Sequence, residues 1–419
     1  MSLKRSWVQS ANSAETFFPL NNLPYGVFSV AGGDPRCGVA IGDMILDVSA
    51  MERNGLIALS DGPCFDLPFW NKLMRLGPKV WQDFRNQLTA MLSEGSDNEA
   101  TLSPYLFPQE NARLHMPLRV AEYTDFYASR HHATNVGTMF RGAGNALPPN
   151  WLHIPIGYNG RASSVVVSGT DVVRPNGQTK EPDADTPSFG PSRRLDIELE
   201  MGAIIGGSNA LGQPISVAEA DAMIFGYVLL NDWSARDIQA WEYQPLGPFQ
   251  AKVFATSISP WIVTTAALEP FRTSTPPRET GLLPYLLEPK PMLFEIELTV
   301  TMAPPGKAAT VISETNYDQM YYSAAQLLAH HASSGCAMSV GDLLGSGTIS
   351  GPGKSQRGSL LELTWGGQEP LTLDTGEIRT FIEDGDTLTL KGVAKGDGFC
   401  IGFGSCSGTV TPAPKFPRN

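Results

Sequence analysis

The sequence predicts a mainly β, loop-rich protein in which a small domain precedes a large one. Three observations lead there. At 419 residues the chain is long for a single compact core. Its 42 glycines and 33 prolines provide many turns. Between those turns lie short runs that are β-branched or alternate in polarity, and few stretches carry a helical period.

The first elements form a small β unit. "YGVFSV" and "RCGVAIGDMILDVS" read as short strands, with Gly42-Asp43 as the hairpin turn of the second. A helix follows, because Val80, Trp81, Phe84, Leu88, Met91 and Leu92 recur at three- to four-residue spacing and Gly95 ends the pattern. The polar "SEGSDNEATLSPY" reads as a surface connection, and a boundary near residues 110–120 divides a domain 1–117 from a domain 118–419. Beyond it strands dominate: "SSVVVSG", "RLDIELEMGAII", "AMIFGYVLLND", "MLFEIELTVTM", "SLLELTW", "DTLTLKG" and "FCIGFGSCSGTV". One amphipathic helix, "YDQMYYSAAQLLAHHASSG", interrupts them, and "STPPRETGLLPYLLEPKP" reads as a surface loop. His330 and His331 close that helix, where a cation suits the helix dipole, so both read as structural or solvated.

Composition removes several function classes. Thirty basic residues against 42 acidic ones give a net charge of -12, which disfavours a phosphate backbone as partner. Five scattered cysteines form no CxxC pair, as expected of a reduced, intracellular protein. "MSLKRSWVQS" has no apolar stretch behind its basic residues, and "AMIFGYVLL" is far too short to span a membrane. A cytoplasmic protein without membrane or nucleic-acid partners is the expectation.

Two nucleotide motifs fail on inspection. "GTISGPGKS" has Thr348 where a phosphate loop needs its first glycine, and "GSGTISG" misses the dinucleotide fingerprint by one place. No nucleophile elbow is present, and Cys406 in "GSCSG" lies among strands, so it reads as a core or surface thiol. Lone histidines such as His115 and His153 read as packed or solvated.

The acids and the paired histidines are more informative. In "LDIELEMG", Asp196, Glu198 and Glu200 share one strand face and could clamp a hard divalent cation. A solvated face is the bland alternative, and Glu295 and Glu297 in "LFEIELTV" are an internal control for it. Context favours the first pair: Asp232 ends an apolar strand shortly afterwards, and Asp125 is a further acid. After Asp232, Ser234 and Asp237 fit a capping box opening a short helix on which Arg236 and Gln239 share a face, joined by Tyr243 if the helix continues. In "EYTDFYASRHHATNVG", adjacent His131 and His132 cannot both face one pocket on a regular element.

At "YTDFYASRHHATNVGTMFRG", "NWLHIPIGYNGRASSVVVSG", "LDIELEMG", "NDWSARDIQAWEYQPLGPF" and "GTISG" the chain closely resembles the fumarylacetoacetate hydrolase family. Its tyrosine-rich blocks and N-terminal unit resemble the fumarylacetoacetase branch. The resemblance implies a homodimer whose subunit has a small N-terminal SH3-like β-barrel and a large C-terminal rolled β-sheet domain. It implies hydrolysis of the C–C bond of 4-fumarylacetoacetate to fumarate and acetoacetate, the last step of tyrosine and phenylalanine catabolism. It further implies a calcium or magnesium ion on Asp125, Glu198, Glu200 and Asp232, and a second, magnesium-type position at Asp232, Lys252 and Thr256. Tyr127, Arg141, Tyr158, Gln239, Tyr243 and Thr348 match substrate contacts. His132 matches the general base, Glu362 its orienting carboxylate, and Arg236, Gln239 and Lys252 the groups that stabilise developing negative charge. His131 has no implied role. An acylpyruvate hydrolase or oxaloacetate tautomerase of the same superfamily is the alternative within it, and a catalytically dead, metal-stabilised dimer is the alternative outside catalysis.

The chemistry fits the residue types. Splitting a β-diketone by water needs a base of near-neutral pKa, which is the natural task of histidine. A carboxylate on the other ring nitrogen fixes the tautomer, and cationic donors suit the alkoxide that water addition creates. A guanidinium such as that of Arg141 can grip a carboxylate of a diacid bidentately.

Overall fold

The computed structural model describes residues 2–416. Its N-terminal part is a five-stranded antiparallel sheet of β1 (Tyr25–Val30), β2 (Arg36–Ile41), β3 (Met44–Asp47), β4 (Leu106–Pro108) and β5 (Ala112–His115), ordered β4-β3-β2-β1-β5. Ile41 pairs with Met44 across a two-residue turn, and Gly42 there has φ +58, which explains the glycine. The helix Pro78–Leu92 starts on a proline and buries Phe84, Leu88 and Leu92. The connection after it is not wholly a surface loop, since Glu99–Leu102 forms a helical turn that buries Leu102.

A larger sheet organises the rest. It runs β7 (Gly157–Asn159), β6 (Tyr123–Phe126), then the strands Leu343–Gly345, Leu199–Ile205, Ile224–Asp232 and Thr256–Ile258, and ends on β8 (Val165–Val167); Val263–Thr264 also pairs with Ile224–Asp232. All nine residues of Ile224–Asp232 are buried. Val228 and Leu230 join a cluster with Trp70 and Phe84 of the N-terminal part, whereas Tyr227 and Leu229 join a second cluster with Phe294 and Leu390. Both faces of the strand are therefore covered, which is why its sequence is a continuous apolar run and not an alternating one. Truncating Leu230 to alanine should cost about 2–5 kcal/mol. The second cluster belongs to a five-stranded sheet ordered Thr310–Asn316, Glu297–Ala303, Thr387–Lys395, Cys400–Thr411 and β9 (Val172–Val173). Glu295 and Glu297 are exposed there, and Cys406 is buried in the core.

Three local expectations are corrected. "SLLELTW" is not a strand: Leu360–Leu363 is a short helix, capped by the Ser359 side chain, which accepts from the Glu362 N–H. The Leu-Glu-Leu alternation imitated a strand, but the Ser359-x-x-Glu362 spacing is that of a helix start. The later amphipathic helix begins only at Ala324, where Ser323 and Gln326 form a capping box, and Tyr317–Gln319 is a separate 3-10 turn. Finally, Ser234 caps nothing: its hydroxyl donates to the Asp232 carbonyl, and the helix Arg236–Glu242 has Ala235 at its N-cap with no side-chain cap. Asp237 instead accepts from Ser192 and the Arg193 N–H, tying down a neighbouring loop. Among the described residues no helix is long and apolar enough to cross a membrane.

Candidate active site

Strand ends bring the acids together. Asp125 on β6 lies opposite Gly345 on one side and Tyr158 on the other. Glu200 pairs with Leu230, and Asp232 with Thr256. Asp125, Glu198, Glu200 and Asp232 are all buried, and each offers an oxygen within 4.8 Å of the others. The acid face of "LDIELEMG" is thus not solvated, although the exposed Glu295 and Glu297 have the same spacing. Asp196 stays out of the cluster. It accepts from Arg236 Nε at 2.8 Å and from the N–H groups of Leu360 and Leu361.

Electrostatics mark this as a place for positive charge. Burial pushes the Asp125 and Glu200 carboxyls well above the usual carboxylate range, and the neighbouring acids add to it, Asp232 at Asp125 and Asp125 at Glu200. Burial also raises Asp232, against the pull of Lys252. At Glu198 burial is outweighed by Lys252 and Arg236, so its carboxyl lies below the range. Asp125 Oδ1 and Glu200 Oε1 are buried acceptors without a hydrogen-bond partner among the described residues. Orphaned carboxylate oxygens in one cluster are the donor set a hard divalent cation requires, so the residues fit one.

Lys252 Nζ donates to Glu198 and, at 2.6 Å, to Asp232 Oδ2; Thr256 Oγ1 donates to Asp232 Oδ1 at 3.2 Å. Burial works against the Lys252 charge, but Asp232 and Glu198 outweigh it and hold the ammonium well above its ordinary value. An ammonium has no free lone pair, so its side chain acts here as a fixed cation. Tyr158 donates to Asp232 Oδ2 at 3.3 Å.

The histidine pair sits in the first turn of the helix Arg130–Arg141, which follows β6. Ser129 caps the helix Arg130–Arg141 by accepting from the His132 N–H. His132 is 3% exposed and its neighbour His131 is half-buried. His132 Nδ1 lies 2.6 Å from Glu362 Oε2, and Nε2 lies 3.9 Å from Glu198 Oε1. Glu362 also accepts from Asn135 Nδ2 at 2.8 Å, Ser350 Oγ at 3.0 Å and Ser359 Oγ at 2.8 Å. Burial alone would raise its carboxyl, but His132 and these donors hold it below the usual range. An ionised Glu362 fixes the proton on Nδ1 and leaves Nε2 as the acceptor. The Tyr127 ring meets the imidazole edge to face, with centroids 5.4 Å apart.

A cavity of about 370 Å³ opens between these groups. Its lining includes Asp125, Tyr127, His132, Arg141, Tyr158 and Glu198, together with Arg236, Gln239, Tyr243, Lys252 and Thr348. Glu200, Asp232, Thr256 and Glu362 stand behind that lining. Arg236 Nη2 lies 2.8 Å from Glu198 Oε1, and Nη1 donates to Gln239 Oε1, which leaves the Gln239 amide N–H groups free. Arg141 donates to the Ala146 carbonyl at 2.6 Å. Thr348 Oγ1 is buried and, among the described residues, without a partner.

Several contributors escaped the sequence reading. Asn135 is one turn beyond His132, and Ser350 follows Thr348 by two. Gly345 and Gly347 in "GSGTISG" serve close approach and not a phosphate. A Cβ at Gly345 would fall 2.8 Å from both Asp125 Oδ1 and Glu200 Oε2, and Gly347, at φ +77, donates its N–H to Glu200 Oε2.

Comparison with known proteins shows the family. The profile of the fumarylacetoacetate (FAA) hydrolase C-terminal family matches residues 122–411, and that of the fumarylacetoacetase N-terminal family matches residues 21–117. The chain belongs to the fumarylacetoacetate hydrolase family. It is 48% identical to the fumarylacetoacetase of Arabidopsis thaliana over 99% of this chain and 100% of that one. It is 48% identical to the Homo sapiens fumarylacetoacetase over 94% and 96% respectively. The solved fumarylacetoacetate hydrolase of Exiguobacterium antarcticum shares the family fold, with a TM-score of 0.51 at 15% identity over 93% of this chain and 99% of that one.

Proposed function

We propose that the protein hydrolyses 4-fumarylacetoacetate to fumarate and acetoacetate, the last step of tyrosine and phenylalanine catabolism, with His132 as general base. The observation that carries this reading is the 2.6 Å contact of His132 Nδ1 with buried Glu362, set against a cavity wall that includes Asp125 and Glu198. Nε2 takes a proton from water as the water oxygen adds to the carbonyl beside the alkene. Glu362 stabilises the resulting imidazolium. Arg236, Gln239 and Lys252 offer donors to the alkoxide. Its collapse breaks the C–C bond, the electron pair leaves on the methylene carbon as acetoacetate enolate, and His132 returns the proton there. The water oxygen ends in the new carboxylate of fumarate.

Asp125, Glu198, Glu200 and Asp232 would hold a calcium or magnesium ion. At the second, magnesium-type position expected at Asp232, Lys252 and Thr256, the Lys252 ammonium donates to Asp232 and itself supplies the positive charge, so its Nζ is not a ligand there. A divalent cation polarises a diketone and takes up enolate charge. Arg141 grips a terminal carboxylate of the substrate, and Tyr127, Tyr158, Gln239, Tyr243 and Thr348 complete its pocket. The chain works as a cytoplasmic homodimer divided into domains 1–117 and 118–419; a monomer by light scattering would overturn the dimer. The function is tested by the fall in ultraviolet absorbance of 4-fumarylacetoacetate. Turnover with calcium or magnesium that a chelator abolishes is expected, and no turnover with either ion sinks the reading.

A further inference from the structure

A second cavity, of about 670 Å³, lies away from the acid cluster, where the N-terminal part meets the large sheet. Its lining brings together Lys4, Tyr25 of β1 and Arg85 of the helix Pro78–Leu92 with the segment Thr264–Arg272. Arg85 is 8% exposed, and its guanidinium donates only to neutral carbonyls, those of Asn21 and Asn22. Among the described residues it has no carboxylate partner, and burial holds it below its ordinary value. Burial and the charge of Arg85 likewise lower Lys4, at the rim. The Tyr25 hydroxyl is buried beside Arg85 and has no hydrogen-bond partner among the described residues.

An uncompensated buried guanidinium and an orphaned buried hydroxyl are each unfavourable unless something accepts from them. The opposite wall does not supply it. Asp221 and Glu269 are already engaged by Arg272 and Lys290, with Arg272 at 3.0 Å from Asp221 and 2.6 Å from Glu269. Four cationic side chains therefore face two carboxylates, a net +2 lining in a chain of net charge -12. Such local inversion focuses small anions.

We infer that this junction cavity is a binding site for a small dianion, an oxyanion of the phosphate or dicarboxylate class, held by Arg85, Lys4 and the Tyr25 hydroxyl. The ligand bridges the N-terminal part and the large sheet, so its binding raises the stability of the folded chain.

The test follows the melting temperature of the full-length, cation-loaded protein at constant ionic strength. The probes are inorganic phosphate and, separately, succinate, each against a chloride control. Arg141→Gln removes carboxylate binding at the catalytic cavity. Lys4→Gln and Tyr25→Phe address the junction, and the second keeps the ring that stacks on Trp70 at 4.3 Å. A saturable rise is expected in the wild type and in Arg141→Gln, with the half-saturating concentration shifted about fivefold or more upward in Lys4→Gln or Tyr25→Phe. Which probe acts identifies the source of the oxyanion. The inference is overturned if neither probe gives a saturable rise beyond chloride, if Arg141→Gln abolishes it, or if both junction variants keep the wild-type half-saturation.

Discussion

Replacing Glu362 by glutamine tests the base most sharply, because the change is isosteric, removes the charge and turns one acceptor oxygen into a donor. Oε2 accepts from His132, Ser350 and Ser359, and Oε1 from Asn135. If the new amide nitrogen faces His132, two donors meet, the imidazole must move its proton to Nε2, and the base is lost. The equivalent change in a Ser-His-Asp enzyme lowers kcat by about 10⁴. If the nitrogen faces Asn135, that side chain can turn to accept, the tautomer survives and only the charge on the imidazolium partner is lost. A charge-assisted hydrogen bond of this kind contributes roughly 1.5–3 kcal/mol, or about 10–100-fold in rate. Initial rates under saturating cation should therefore show kcat reduced by about 10- to 10⁴-fold, with cation affinity within about threefold of wild type. A kcat within about twofold of wild type would refute the role given to Glu362.

Other outcomes follow from the same geometry. His132→Ala should abolish turnover whereas His131→Ala keeps most of it; comparable losses in both would overturn the assignment of a single base. Gly345→Ala places a methyl 2.8 Å from two cluster oxygens, so calorimetry should show cation affinity weakened by about 10–100-fold. Arg141→Gln should raise KM far more than it lowers kcat, as loss of a ground-state grip on the substrate carboxylate does. Asp125 and Glu200 have folded carboxyls raised above their ordinary values of 3.8 and 4.5. Their stabilising contribution is full below those values and fades as pH rises through the raised ones, so the drop in melting temperature caused by a chelator should grow with pH above that range. A chelator effect that shrinks with pH would contradict this.

Much of the site was legible because its signals are local. Asp232 ends an apolar strand, and the adjacent histidines cannot share a pocket on a regular element. The two E-x-E stretches show the limit of such reading: both alternate alike, yet Glu198 and Glu200 are buried while Glu295 and Glu297 are exposed, since only tertiary packing decides which face is covered. The Leu-Glu-Leu alternation points to a strand at Glu362, whereas the Ser359 cap makes the segment helical. Asp196 bonding to Leu360 and Leu361 joins positions far apart in the chain, and no spacing rule reveals that pairing. Lys252 lies in a turn without period, so its place on Glu198 and Asp232 came only from the resemblance.

In the proposed reaction water, activated at His132, is added across a C–C bond. Single-product mass spectrometry of the reaction run in oxygen-18 water tests it most directly. The label should appear in the newly formed carboxylate of fumarate, with the acetoacetate carboxylate unlabelled. Unlabelled fumarate, or a substrate that is isomerised without being cleaved, would contradict the account.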